Sequence, residues 1–332
     1  MSKFIGIDIS KQTFDVCFFD GEHQKFDNNL KGFKKLLRNL VADNKIVMEA
    51  SGPYYVKLAS FLHQEKISVF VVNPLKVKRF GQMNFNRAKT DKKDAQVIRD
   101  FAIKMNDELR EWKPGSKHTT ELKQLNTSVE LLNKQIHQIK LQMESFEDSG
   151  HIAEKIKKGY KKIIKNLQRE KENLEEEMER TAKCEYAQTV ASLTSIPGIG
   201  IKTATMLIAV TDDFQKFDHY KKLIAYVGFS PRIYQSGTSI KGKGHICKMG
   251  KSQIRKLLYM CSWTAKRYNK ACKVMYDRLR QRGKPERVIK IAIANKLLKT
   301  CFAIAKSKGK YQENYIPEVC FTRECKINCV KG

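Results

Sequence analysis

From Leu122 to Phe146 the apolar residues Leu122, Leu125, Val129, Leu132, Ile136, Ile139, Met143 and Phe146 recur at alternating spacings of 3 and 4. No strand accommodates that period, because strand faces alternate every second residue; it demands a long helix with one apolar seam. Ser149-Gly150 interrupts the seam. A looser stripe of Ile152, Ile156, Ile163, Leu167, Leu174 and Met178 then carries the helical pattern to about residue 182. We expect a coiled-coil arm over 118–183, serving as a connector, an antiparallel hairpin or a dimerisation element. Of these, some role in self-association is favoured.

The arm separates two unlike regions. Phe4-Ile-Gly-Ile-Asp-Ile9 is nearly all apolar, as a strand buried on both faces must be. Thr13 to Phe19 follows, then the hairpin signal Asp20-Gly21 and a short strand over Gln24 to Asp27. Phe33, Leu36, Leu37 and Leu40 mark a helix, Ile46-Val-Met48 a strand ending at Glu49, Tyr54 to Gln64 a helix, and Ser68 to Val72 a strand. A three-strand meander followed by alternating helices and strands predicts an α/β, ribonuclease-H-like sheet over 1–110. Beyond the arm, 190–310 reads as mostly α, with a glycine hairpin at Ile196-Pro-Gly-Ile-Gly200 and helices over Gln253–Tyr268, Cys272–Arg282 and Glu286–Ala305. Residues 311–332 read as a weakly structured tail.

Charge narrows the partners. There are 64 Lys+Arg against 35 Asp+Glu, a formal net charge of +29, in a chain that is 41% hydrophobic. That content supports a folded core, so the excess charge belongs to a globular protein that meets a polyanion, each cation at a phosphate releasing counterions. The absence of a long apolar segment or a signal-like start predicts a cytoplasmic protein, neither secreted nor membrane-spanning. Nine cysteines are then reduced thiols. Cys320, Cys325 and Cys329, or His245 with Cys247, fit no zinc spacing.

Four carboxylates stand out: Asp8 within an apolar strand, Glu49 at a strand end, and Asp91 and Asp94 three apart at a helix start behind Thr90. First-turn acids suit the helix dipole and Glu49 could simply be an exposed strand end, but an Asp in an apolar strand is costly without a partner. Together they form a candidate oxygen-ligand set for paired Mg²⁺, or Mn²⁺, in phosphodiester chemistry. Lys76, Lys78, Arg79, Arg87, Lys89, Lys92 and Lys93 flank them, as a site holding a phosphate backbone requires.

A second candidate site lies beyond the arm. Gly198, Gly200 and Lys202 form a hairpin whose backbone N–H groups suit phosphate without reading bases. Ser236 before Gly237 is sterically open, Arg232 precedes it, and Lys241, Lys243, Lys248, Lys251 and Arg255 follow as phosphate ligands and activators of a hydroxyl. Ser239 stands as an equal alternative nucleophile on that basis, and a basic loop touching DNA non-covalently is the plainer reading.

The ordered set Gly6-Ile-Asp8, Met48-Glu-Ala-Ser-Gly52, Lys89-Thr-Asp-Lys-Lys-Asp-Ala95, the helical arm, Pro197-Gly-Ile-Gly200, Pro231-Arg232 and Ser236-Gly237 resembles the IS110 family of insertion-sequence transposases. The resemblance runs from about residue 3 to 310. It implies a resolvase-like DEDD domain whose Asp8, Glu49, Asp91 and Asp94 bind Mg²⁺. It also implies a carboxy-terminal transposase domain with Ser236 as nucleophile, a structured guide RNA from the element, and composite sites built in an oligomer. On this expectation the chain is a recombinase that excises and inserts its own element through a phosphoserine–DNA bond. Its competitors are a junction-resolving metal nuclease using water, and a non-catalytic RNA/DNA-binding protein.

Overall fold

The computed structural model describes residues 3–83, 90–232, 235–236, 240–241 and 244–313, with the backbone alone at 91, 235, 236, 240 and 241. The chain divides into two compact units, Met1–Gly115 and Ser116–Gly332.

The first unit runs β1 (Lys3–Ile9), β2 (Thr13–Cys17), β3 (His23–Asp27), α1 (Leu30–Arg38), β4 (Asn44–Glu49), α2 (Tyr55–Gln64), β5 (Ser68–Val72), α3 (Pro74–Met83) and α4 (Asp91–Lys104). The sheet order is β3-β2-β1-β4-β5. β1, β2 and β3 form an antiparallel meander, while β1, β4 and β5 run parallel. This mixed sheet is compatible with a ribonuclease-H-like domain.

Strand alternation assigns the two faces. Ile5, Ile7, Ile46 and Met48 join Leu36 of α1 and Leu58 and Leu62 of α2 in one core. Phe4 and Val47 point the other way and join Val77 and Phe80 of α3 with Ile98, Phe101 and Ala102 of α4. Both faces are covered, which is why β1 reads as an almost unbroken apolar run. The α3 helix was not foreseen: its Lys76, Lys78 and Arg79 read as a charge run, yet Val77 within that run and Phe80 just after it are buried.

The second unit opens with α5 (Lys117–Asp148) and α6 (Glu154–Glu185), each 32 residues long. They lie antiparallel. His118 Nε2 meets Glu185 at 3.3 Å at one end, and Lys157 Nζ meets Glu147 at 2.9 Å at the other. Leu122, Val129, Met178 and Ala182 at the base are buried in the core shared with the following helices. Farther out, Leu131, Leu141, Ile156 and Ile163 are exposed.

The chain continues through α7 (Ala187–Thr194), α8 (Ile201–Thr211), α9 (Tyr220–Val227), β6 (Pro231–Arg232), β7 (Gln235–Ser236), β8 (Ile240–Lys241), β9 (His245–Ile246), α10 (Ser252–Tyr268), α11 (Lys270–Gln281) and α12 (Glu286–Ser307). α12 is the central helix, burying Ile289, Ile293, Leu297 and Cys301. The chain at Tyr311 is tied down: its N–H donates to Ser195 Oγ at 2.8 Å and its hydroxyl bonds Asn269 Oδ1 at 3.2 Å. Among the described residues no helix is long and apolar enough to cross a membrane.

Candidate active site

The face that β1 turns towards α4 is built from alternate residues Phe4, Gly6 and Asp8. At Gly6 the approach is extreme: a Cβ there would stand 2.2 Å from Ala95 O and 2.5 Å from Arg99 N. Only glycine lets the α4 backbone lie directly on the strand. Two residues on, the same face presents Asp8. On β4 the parity is identical, since Val47 belongs to the α4-side core and Glu49 follows it by two. Ile7 pairs with Met48, so Asp8 and Glu49 sit side by side at the carboxyl ends of adjacent parallel strands. That end is where open α/β sheets hold their ligands.

α4 brings the remaining carboxylates. Thr90 caps it, Oγ1 accepting from Lys93 N at 3.3 Å, and Asp94 N donates to Thr90 O at 2.9 Å. Asp94 immediately precedes Ala95, the residue over Gly6, and Asp91 is the first residue of the helix. Asp8, Glu49 and Asp94 are each half-buried, and the Asp91 side chain lies outside the described residues. Ser51, passed over in the sequence although quoted within the Met48–Gly52 motif, donates to Glu49 Oε1 at 2.8 Å. Asn28 donates to Ser10 O at 2.8 Å and to Tyr54 O at 3.4 Å, fastening the loop after β1 to the loop after β4.

These donors are all carboxylate oxygens, the kind a hard divalent cation takes. Among the described residues no three such side chains close around a common point. The donor chemistry therefore fits Mg²⁺ or Mn²⁺, while an enclosing shell is not formed by the described side chains.

Of the basic residues beside the acids, Lys78, Arg79, Lys92 and Lys93 are exposed, and Lys76 is paired with Glu108 at 2.6 Å. Arg87 and Lys89 lie outside the described residues. Arg99 is a structural cation, donating to Phe18 O at 3.0 Å and pairing with Asp100 at 3.0 Å.

In the second unit α7, residues 195–200 and α8 form a helix–hairpin–helix. Gly198 has φ +104°, and a Cβ there would meet Ala265 Cβ of α10 at 2.8 Å. Gly198 thus seats the hairpin on α10, whereas Gly200 is the exposed cap of α8 with no side-chain bond to the helix. Lys202 pairs with Glu175 at 2.7 Å, and that hydrogen bond raises its pKa.

The Gly/Lys-rich segment forms a β-ribbon in which β6 pairs with β9 and β7 with β8, both antiparallel. Its base is pinned: Cys247 N donates to Ser230 O at 2.8 Å, and Arg255 donates to Val227 O at 2.7 Å. Arg255, expected at a phosphate, is thereby half-buried against α9. Arg232, Lys248 and Lys251 are exposed around this base. Ser236 lies on β7 opposite Ile240, and Lys241 lies opposite Gln235. The side chains of Ser236 and Lys241 are outside the described residues, as are Gly237, Ser239 and Lys243 altogether.

Comparison with known proteins matches both halves to related families. Residues 5–152 match the family model for the DEDD transposase of IS110, and residues 190–277 match the one described as transposase of the IS116/IS110/IS902 family. The pilin gene-inverting protein of Moraxella lacunata is 30% identical over 327 residues, covering 94% of this chain and 99% of that protein. The transposase for insertion sequence element IS1111A of Coxiella burnetii is 25% identical over 284 residues, 77% of this chain and 76% of its own.

Proposed function

This chain belongs to the IS110 family of transposases and is a DNA transposase or recombinase, and from that premise we propose that it moves its own insertion sequence by a phosphoserine route under the direction of a structured RNA. The observation that carries this proposal is the shared face of Asp8, Glu49 and the start of α4, in a chain whose second unit carries Ser236 on the short strand β7.

In this proposal 1–110 is the catalytic DEDD domain, 118–183 a coiled-coil arm that assembles a dimer or dimer of dimers, and 190–310 the serine-bearing domain. Asp8, Glu49, Asp91 and Asp94 would hold Mg²⁺ or Mn²⁺, which when bound neutralises and polarises a phosphodiester. The chain's own residues perform the rest. Exposed Lys78, Arg79, Lys92 and Lys93 hold the backbone phosphates beside the acids. Ser236 Oγ attacks phosphorus, an Oγ–P bond forms, the P–O bond to one DNA end breaks, and that oxygen leaves with a proton. The free hydroxyl of another DNA end then attacks the phosphoserine and releases Ser236 protonated. The bond energy is conserved, so strand exchange needs no nucleotide cofactor. If base pairing to the RNA chooses the site, phosphate contacts by the protein are sufficient.

The long match to a pilin gene-inverting protein favours a second outcome of the same chemistry, inversion of a DNA segment between two sites. The test is a plasmid recombination assay with and without the element's non-coding ends. Asp8→Ala and Ser236→Ala should each abolish recombination, and removing the non-coding end should do the same. Wild-type recombination in both variants would refute the mechanism, and recombination without any element RNA would refute the guidance.

A further inference from the structure

A cleft of about 240 Å³ opens in the second unit between α5, α6, α8 and α10. Val129, Met178, Met206 and Leu257 give it apolar walls. Thr205 lines it as well, 1% exposed, and its hydroxyl oxygen has no hydrogen-bond partner. Among the described residues it is one of six buried side-chain polar atoms without a partner, and the one of the six that lines this cleft. Thr211, on the same helix, satisfies its hydroxyl on Leu207 O at 2.6 Å, and Thr194 uses Val190 O at 2.8 Å. Buried polar groups are normally paired, so an orphan hydroxyl in the wall of a cleft points to a ligand that completes it.

The other polar groups indicate what that ligand is. Asn126 and Gln253 exchange two amide bonds, at 3.2 and 3.3 Å, and each carbonyl retains a lone pair. Glu175 and Glu179 line the cleft too, so a phosphate is disfavoured inside and an amino-bearing, uncharged ring is favoured. Apolar walls that include two adaptable methionines can close on a planar ring. Lys256 stands exposed beside them, while Lys202 is held by Glu175, and the start of α8 at Gly200 has no side-chain cap. A backbone phosphate at that helix start would place its base beside the opening.

We propose that this cleft seats one unstacked nucleobase, an adenine or cytosine, from a single-stranded stretch of the nucleic acid on which the enzyme works. The proposal rests on the recombinase reading and adds to it a base-specific seat lined by neither the carboxylates nor Ser236. Extruding a base costs stacking, and that cost is least in single strands, which recombination supplies.

The test uses the full-length protein with single-stranded DNA and RNA oligonucleotides carrying one 2-aminopurine, following its fluorescence, while filter binding follows total affinity. Saturating protein should change the fluorescence, an adenine-containing competitor should reverse it, and an abasic competitor should not. Thr205→Val should weaken the fluorescent site by roughly 10-fold while leaving the melting temperature unchanged or higher, because it removes an unsatisfied hydroxyl. Leu257→Trp should abolish the signal by filling the cleft, with total binding changed by less than about twofold. A response from RNA alone, or DNA alone, identifies the source of the base. Undiminished fluorescence in folded Thr205→Val and Leu257→Trp would overturn the proposal while leaving the recombinase reading intact. Absence of all oligonucleotide binding would overturn both.

Discussion

Gly6 on β1 and Ala95 on α4 approach so closely that a Cβ on the glycine would lie 2.2 Å from the alanine carbonyl oxygen. This contact sets α4 on the sheet, and it joins the strand that carries Asp8 near its carboxyl end to a helix whose first turn carries Asp91 and Asp94. Gly6→Ala must push the α4 backbone away, since neither atom involved belongs to a flexible side chain. Overpacking of this kind costs about 1–3 kcal/mol. We expect that loss in urea unfolding, together with a fall in recombination larger than the folded fraction explains. Wild-type recombination in Gly6→Ala would detach the helix position from catalysis.

Ser51 holds Glu49 by a hydrogen bond of 2.8 Å. As a positioning residue it should act through the carboxylate, and one such bond is worth about 0.5–1.5 kcal/mol. Ser51→Ala should raise the Mg²⁺ concentration needed for half-maximal recombination several-fold, with little change in melting temperature. Ser51→Thr, which keeps a hydroxyl, should restore the wild-type Mg²⁺ curve. A Ser51→Ala curve that overlays the wild type would remove Ser51 from the site.

Much of the first unit was legible because its signals are local. The apolar run around Asp8, the Asp20-Gly21 turn and Thr90 before Asp91 each declare their structure within a few residues, and two-residue parity then puts Asp8 and Glu49 on one face. The α3 helix was hidden because Lys76, Lys78 and Arg79 outnumber its buried Val77 and Phe80. The short strands around Ser236 were hidden because glycine and lysine are poor strand formers. Charge alone sent Lys202 and Arg255 to phosphate, whereas Glu175 and the Val227 carbonyl, 27 and 28 positions away, engage them in the fold. Thr205 could not have been found from sequence, since what singles it out is the lack of a partner in three dimensions.

The hairpin at Gly198 has a structural role that can be separated from its proposed phosphate contact. Its φ of +104° and its packing on Ala265 exclude any side chain. Gly198→Ala should destabilise the second unit by more than about 1 kcal/mol, and Gly200→Ala, with open space around it, by less. Equal denaturation midpoints for the two variants would contradict this assignment.

Glu286, at the first turn of α12, receives the Tyr276 hydroxyl at 2.5 Å and pairs with Lys266 at 3.1 Å and Lys290 at 3.2 Å. The Tyr276 hydrogen bond, with those lysines, lowers its pKa from 4.5 to about 2. A carboxyl lowered by folding stabilises the fold above its unfolded value and loses that contribution as pH falls through the folded one. The wild type should therefore lose stability between pH 4.5 and about 2 more steeply than Glu286→Gln. The side chain is 45% exposed, so solvent screens the pair and the difference will be small. Parallel pH profiles would show that the network is energetically silent.

The central claim, that carboxylates of the first unit and Ser236 of the second serve one reaction, is tested most directly by capturing the covalent bond. The protein is expressed with its native flanking DNA, purified under denaturing conditions, digested and examined by mass spectrometry. We predict a nucleotide phosphate on Ser236, present in the wild type and absent in Asp8→Ala. DNA cleavage with no adduct on any serine, or an adduct on Ser239 that persists in Ser236→Ala, would contradict the account.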